Sequence, residues 1–156
     1  MPVSATMVMF WLDDQRYAVH LGAVERVVRA AETVQLPKAP RVVLGVINVQ
    51  GSVIPVVDLR IRFGRPARGL KVSDHFLLAQ TVRRSVALWV DQVAAVIGVP
   101  EDQLIAAETV LPHLPYVKGL LKLEDGLILI HDLDTFLSLE EEETLDQALP
   151  EAVTHG

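Results

Sequence analysis

The side chains of this 156-residue chain that could do chemistry are few and are not arranged for it. There are five histidines, His20, His75, His113, His131 and His155. None stands at a metal-ligand spacing such as HExxH from another histidine or a carboxylate. His131 and Asp132 are adjacent, but neighbours on a strand point to opposite faces, so a structural histidine is expected. Asp58 and Asp132 occupy matching positions in two similar stretches, GVINVQGSVIPVVDL and GLLKLEDGLILIHDL. Residues repeated in this way are read as caps rather than as a catalytic pair. The chain has no cysteine, which excludes disulfides and thiolate chemistry. No GxSxG, P-loop or GxGxxG motif is present. Trp11 and Trp89 have apolar strand neighbours and are expected in the core. The reading is a non-enzyme with no catalytic residue, metal or cofactor.

The two similar stretches are the elements around which the chain is organised. Gly45–Leu59 holds two β-branched runs, Val46–Val49 and Val53–Val57, folded back at Gln50-Gly51. Glycine supplies the positive φ of a tight hairpin turn. The second run lacks polar alternation, so both of its faces should be covered. Pro55 cannot donate to a ladder and marks an edge or a break in pairing. Gly119–Leu133 aligns with this stretch position for position, with Glu124-Asp125-Gly126 at the turn. Upstream, Tyr17-Ala18-Val19 aligns with Val86-Ala87-Leu88, and Val24–Val28 with Val93–Ile97. Two tandem copies of one β-unit follow, a pseudo-symmetric pair rather than a solenoid.

Composition agrees. The chain is 51% hydrophobic but only 5% aromatic, so its core is aliphatic, which favours strands. Mean hydropathy is +0.35, yet no apolar run reaches the ~18 residues of a membrane span. The apolar surplus points to partner interfaces. A net charge of −6 argues against nucleic acid, whose backbone requires a basic surface. The N-terminal MPVSATMVMFWLDD lacks a basic region and turns acidic early, so no signal peptide is read and the expected address is the cytoplasm.

In chain order, strands are expected at Met7–Leu12, Tyr17–His20 and Val24–Val28, followed by a loop bounded by Pro37 and Pro40 and then the first hairpin. Arg60–Lys71, RIRFGRPARGLK, is read as a solvated junction, with contact to an acidic partner as the sharper alternative. Strands follow at Asp74–Thr81, Arg84–Val90 and Val93–Val99, then a helical turn from Pro100 and a proline loop over Val110–Pro115. Asp132 should cap a short helix, and Ser138–Leu149 reads as an amphipathic helix or a frayed acidic tail.

GVINVQGSVIPVVDLR resembles the hallmark stretch of CheW-like domains, the coupling proteins of bacterial chemotaxis. The likeness extends through FWLDDQRYAV, the V-x-x-V strand at Val24–Val27, the proline loop and FLLAQTVRRSVALWVDQV, about Met7 to Leu139. It implies a mainly all-β fold of two tandem five-stranded SH3-like barrels, related by a pseudo-two-fold about a shared core, with short helices near the C-terminus. The expected division is a tail at 1–6, a first barrel at about 7–65, a second at about 72–139, and an acidic helix or tail at 140–156. Exchange of strands between the barrels is left open. For function it implies a non-catalytic adaptor or scaffold. Its partners would be the cytoplasmic tip of methyl-accepting chemoreceptors and the regulatory domain of a CheA-type histidine kinase. It would be cytoplasmic and recruited to membrane-associated arrays, without inserting into the bilayer.

By motif position, the receptor-side candidates are Val24, Arg26, Gly45, Asn48, Gln50 and Gly51. A conformational role is weighed equally for the glycines and a core role for Val24. Two positions depart from the family pattern. The usual Arg before the turn glycine is Gln50, and the usual Glu of the third strand is Arg26. Gln50 can hydrogen-bond but cannot form a salt bridge. A divergent member serving a pilus or developmental pathway, or a competitor of the coupling protein, is therefore carried as an alternative. A small β-barrel enzyme or ligand binder ranks below these.

Overall fold

The computed structural model describes residues 3–100, 104–106, 117–123 and 126–149. In chain order the strands are β1 (Val3–Leu12), β2 (Gln15–His20), β3 (Val24–Arg29), β4 (Val43–Val49), β5 (Ser52–Asp58), β6 (His75–Gln80), β7 (Ser85–Val90), β8 (Gln92–Pro100), β9 (Leu104–Ala106), β10 (Val117–Leu123) and β11 (Gly126–His131). A single turn, α1 (Leu59–Arg62), follows β5, and a longer helix, α2 (Leu139–Ala148), closes the described chain. One sheet has the order β3-β6-β7-β5-β4 and the other β8-β1-β2-β11-β10-β9.

Each sheet thus takes strands from both halves of the chain. The hairpin β6–β7 lies between β3 and β5, and the hairpin β1–β2 lies between β8 and β11. The repeat holds residue by residue. The pair Met7↔His20 is answered by Phe76↔Trp89, Gly45↔Val56 by Gly119↔Ile130, and the parallel pair Val56↔Ala87 by Ile130↔Ala18. The bulges repeat as well: Glu25 is the extra residue of β3 and Ala94 that of β8. The expected five-stranded pair is present, with β9 added to one sheet. In the other sheet β9 is answered only by the bridge Val34↔Val46. Pro55 sits where β5 has left its parallel partner, whose pairing covers only Val56–Asp58, so its missing N–H costs the ladder nothing on that side.

Alternation along the central strands feeds three cores, one between the sheets and one inside each barrel. Val8, Phe10 and Leu12 of β1 and Leu77 and Ala79 of β6 enter a core between the sheets. Met7 and Met9 face the inside of one barrel with Ala18, Ile128 and Ile130. Phe76, Leu78, Trp89, Val56 and Ile54 fill the other. A sheet whose own inner face packs on itself must curl, which makes each sheet a small barrel.

Several expectations are corrected or lie elsewhere. β1 begins at Val3, before the expected Met7. Pro100 ends β8 instead of opening a helical turn. Residues 101–103 of that turn, the Val110–Pro115 loop and the Glu124-Asp125 turn lie outside the described residues, and Leu104, the turn's expected last residue, opens β9. Ser138–Leu149 forms a helix and not a frayed tail. Ser138 and Glu141 make a reciprocal capping box, and Leu145 is fully buried.

The arginine-rich segment after β5 is not a solvated loop. Arg60 is 0% exposed, lies 5.2 Å from the Trp89 ring centre and hydrogen-bonds to Asp91. Arg68 donates to both Asp74 oxygens at 2.8 Å and to Asp91 at 2.6 Å. Arg65 donates to Asp13 at 3.0 Å and Asp14 at 2.7 Å, in the β1–β2 turn of the other sheet. The arginines satisfy the protein's own carboxylates, so they are not a free surface for an acidic partner. Burial alone would raise the Asp74 carboxyl, but Arg68, the Lys71 N–H and the Trp89 indole outweigh it and bring its pKa down to about 2.

A carboxyl depressed in the folded state stabilises it above the unfolded value and loses that contribution as pH falls through the folded one. Asp74 should therefore contribute about 2 kcal/mol at neutral pH, fading between about pH 4 and pH 2. Urea titrations of Asp74→Asn should show that loss at pH 7 and convergence with the parent near pH 2. A constant difference across the range would contradict it.

Candidate functional site

The two edges of the β3-β6-β7-β5-β4 sheet approach each other as it curls, leaving a groove between β3 and the β4–β5 hairpin. It holds two depressions of about 300 and 380 Å³. Arg26, Val49 and Gln50 line both. Val28, Ile47 and Phe76 make the first mostly apolar, whereas the second is the more polar and takes its apolar part from Ile54 and Leu78. Asn48 and Arg29 stand at the first, and Glu25 and Ser85 at the second.

The turn that ends the hairpin is built for this place. Gln50 and Gly51 have φ of 52° and 89°, so both central residues are left-handed, as a type I′ turn requires. The positive φ expected at Gly51 is present. The one at Gln50 adds to it and costs about 1 kcal/mol for a residue with a Cβ. The Asn48 side chain accepts the Gly51 N–H at 2.9 Å and so holds the turn closed.

The six candidates therefore divide. Arg26, Asn48 and Gln50 meet at the groove, with Gly51 beside them in the turn. Val24 is half-buried and packs on the core between the sheets. Gly45 is buried at a bulge of β4, where an added Cβ would lie 2.7 Å from the Val34 carbonyl oxygen. The motif did not reveal Arg29 or the apolar walls. The charges of VERVVR at Glu25, Arg26 and Arg29 were visible, but a strand bulge hid which of them share a face.

Elsewhere Asp58, Asp132, His131 and His20 have structural partners. The Asp58 carboxylate accepts the Arg60 N–H at 3.0 Å, and Asp132 that of Asp134 at 3.1 Å, so the matched aspartates cap equivalent turns. His131 is buried and stacked on Phe63 at 4.2 Å. His20 contacts Lys118 at 3.2 Å, and burial together with that positive charge lowers its pKa. Trp89 is 1% exposed, as expected for a core residue, whereas Trp11 is only half-buried and carries Arg16 over its ring at 5.5 Å. Among the described residues no cluster of three or more His, Asp or Glu could hold a metal. No described helix is long and apolar enough to cross a membrane.

Comparison with known proteins bears on this arrangement. The family model of the CheW-like domain matches residues 6–141. Chemotaxis protein CheW of Rhizobium meliloti (strain 1021) is 30% identical over 139 residues, covering 88% of this chain and 90% of that one. Chemotaxis protein CheW of Thermotoga maritima is 30% identical over 128 residues, covering 82% and 84%. The crystal structure of the scaffolding protein TtCheW from Thermoanaerobacter tengcongensis superposes with a TM-score of 0.80 at 28% identity, over 90% of this chain and 96% of that one.

The crowding at Gly45 has a measurable consequence. Gly45→Ala should cost about 1–3 kcal/mol, because a backbone oxygen cannot yield as a flexible side chain would. A urea midpoint unchanged by the substitution would leave the glycine without a packing role.

Proposed function

The chain belongs to the CheW-like domain family, and from that membership we propose that it is a non-catalytic adaptor coupling chemoreceptors to a CheA-type histidine kinase in a bacterial chemosensory array. It works in the cytoplasm and is recruited to arrays at the membrane. The observation that carries this reading is the span of the likeness. A protein described as a scaffold shares the architecture over 90% of this chain.

Physical features of the chain support it. Its strands use their side chains to build cores, which leaves the sheet edges and turns for recognition. The groove beside β3 is open, partly apolar and rimmed by polar side chains, as a transient docking site requires. On this reading Arg26, Asn48, Gln50 and Gly51 contact the receptor tip, while Val24 and Gly45 shape the strands that carry them. A signalling contact of this kind buries roughly 1,000–1,600 Å² and draws most of its energy from a few residues.

The second reading, a member serving another pathway or competing with a coupling protein, is favoured by one observation. Arg26 and Gln50 face the same groove, and both differ from the charges that the resemblance leads one to expect there.

Size-exclusion chromatography with the regulatory domain of a CheA-type kinase tests the main reading. The two should elute together, and elution as separate species at micromolar concentration counts against an adaptor. The double variant Arg26→Glu with Gln50→Arg should bind the tip of a receptor served by a family member of standard pattern more tightly than the parent does. Equal affinities by calorimetry would detach these positions from receptor choice.

A further inference from the structure

Five arginines, Arg60, Arg62, Arg65, Arg68 and Arg84, are engaged with the protein's own carboxylates. Arg26 and Arg29 are not. Both are exposed, both line the groove, and neither has an ion-pair partner among the described residues. The carboxylate at the groove, Glu25, contacts Ser85 at 3.4 Å. The fold does not require cations here. The matching strand of the sister sheet carries Ala95 opposite Met9, where β3 carries Arg26 opposite Leu78, and Gly98 takes the place of Arg29. The result is a local positive rim on a chain of net charge −6, set against apolar walls from Val28, Ile47 and Val49.

We infer that this groove selects an acidic segment of a partner protein, one that lays an aliphatic stripe between β3 and the β4–β5 hairpin and presents carboxylates to Arg26 and Arg29. The inference rests on the adaptor reading for the identity of the partner and adds the chemistry by which that partner is chosen. The aliphatic contact supplies affinity with little discrimination. The two guanidiniums supply the discrimination, because a lysine or arginine at the same place would leave like charges facing each other.

The test uses the full chain and two labelled helical peptides with the same aliphatic stripe, one edged with glutamates and the other with lysines. Fluorescence anisotropy should show the glutamate peptide bound about tenfold more tightly at low salt, with a preference that shrinks as salt rises. Arg26→Glu with Arg29→Glu should reverse the order. Arg41→Glu with Arg83→Glu makes the same charge change at exposed arginines outside the groove and should leave the preference intact. Equal binding, no binding, a lysine preference, or an equal response to both double variants overturns the inference. So does a self-associated chain that the groove variant converts to monomer, since the occupant would then be a second copy. A chemoreceptor tip titrated in parallel separates the two readings. Tip binding indifferent to the groove variant defeats this inference and leaves the adaptor standing. A retained glutamate preference without tip binding counts against the adaptor alone.

Discussion

Strands that are dry on both faces are the constraint on which this structure depends. Val8, Phe10 and Leu12 point one way along β1 while Met7 and Met9 point the other, and both sets are buried. β6 repeats the pattern with Leu77 and Ala79 against Phe76 and Leu78. Burial on both faces explains why the central runs show no polar alternation and why the chain is 51% hydrophobic while no described helix is long and apolar enough to cross a membrane. It also limits where polar chemistry can sit. With the middle of each sheet committed to packing, charged and amide side chains collect at strand ends, turns and edges, which is where both the ion network and the groove occur.

Apolar burial is non-directional and would tolerate small rotations of one barrel against the other. The ion network does not. Arg60 is enclosed, and removing such a charge from water costs several kcal/mol unless its partners are in place. Those partners come from separate parts of the chain: Asp91 between β7 and β8, the Trp89 face beneath, and Asp13 at 3.7 Å in the β1–β2 turn. Arg68 binds Asp91 as well, so one carboxylate links two guanidiniums. Sliding the barrels apart would break the pairs that Arg65 makes with Asp13 and Asp14 and take Asp13 away from Arg60, and those losses give the shared core an orientation it would otherwise lack. On the opposite flank Arg84 holds α2 through Glu142 and Asp146 while Leu145 enters the core.

Much of this was legible before any coordinates. The repeat, both hairpins, the turn glycine, the paired capping aspartates and the break at Pro55 all follow from local rules, because turn chemistry and strand periodicity act over a few residues. Which strands join which sheet did not follow. The parallel pairing of β5 with β7, and of β11 with β2, joins segments with no turn between them, and exchanged and unexchanged barrels have the same pattern of alternation. The arginine segment departs from its expected solvated loop for a related reason. Its glycines and proline look like a loop, and its partners Asp13, Asp74 and Asp91 lie elsewhere in the chain. Ser138–Leu149 reads as either a helix or a frayed tail, and the capping box at Ser138 and Glu141 decides for the helix. At the groove, a motif on one hairpin located Asn48 and Gln50. It could not show that Arg29, from the opposite edge, completes the wall.

The pseudo-symmetry carries the functional argument further. Two barrels with matching registers and matching bulges have equivalent surfaces along the strands they share, so apart from β9 their differences there lie in the side chains that point outward. At the bulge of β3 the chain places Glu25 and Arg26, and at the bulge of β8 it places Ala94 and Ala95. On β4 the exposed Asn48 turns back to close its own hairpin, whereas its counterpart Lys122 is an exposed cation. The bulge of β3 does not need Glu25 and Arg26 in order to form, since β8 builds the same bulge with Ala94 and Ala95. A twofold frame holds the two edges in fixed relation, and the outward side chains make those edges unlike in charge.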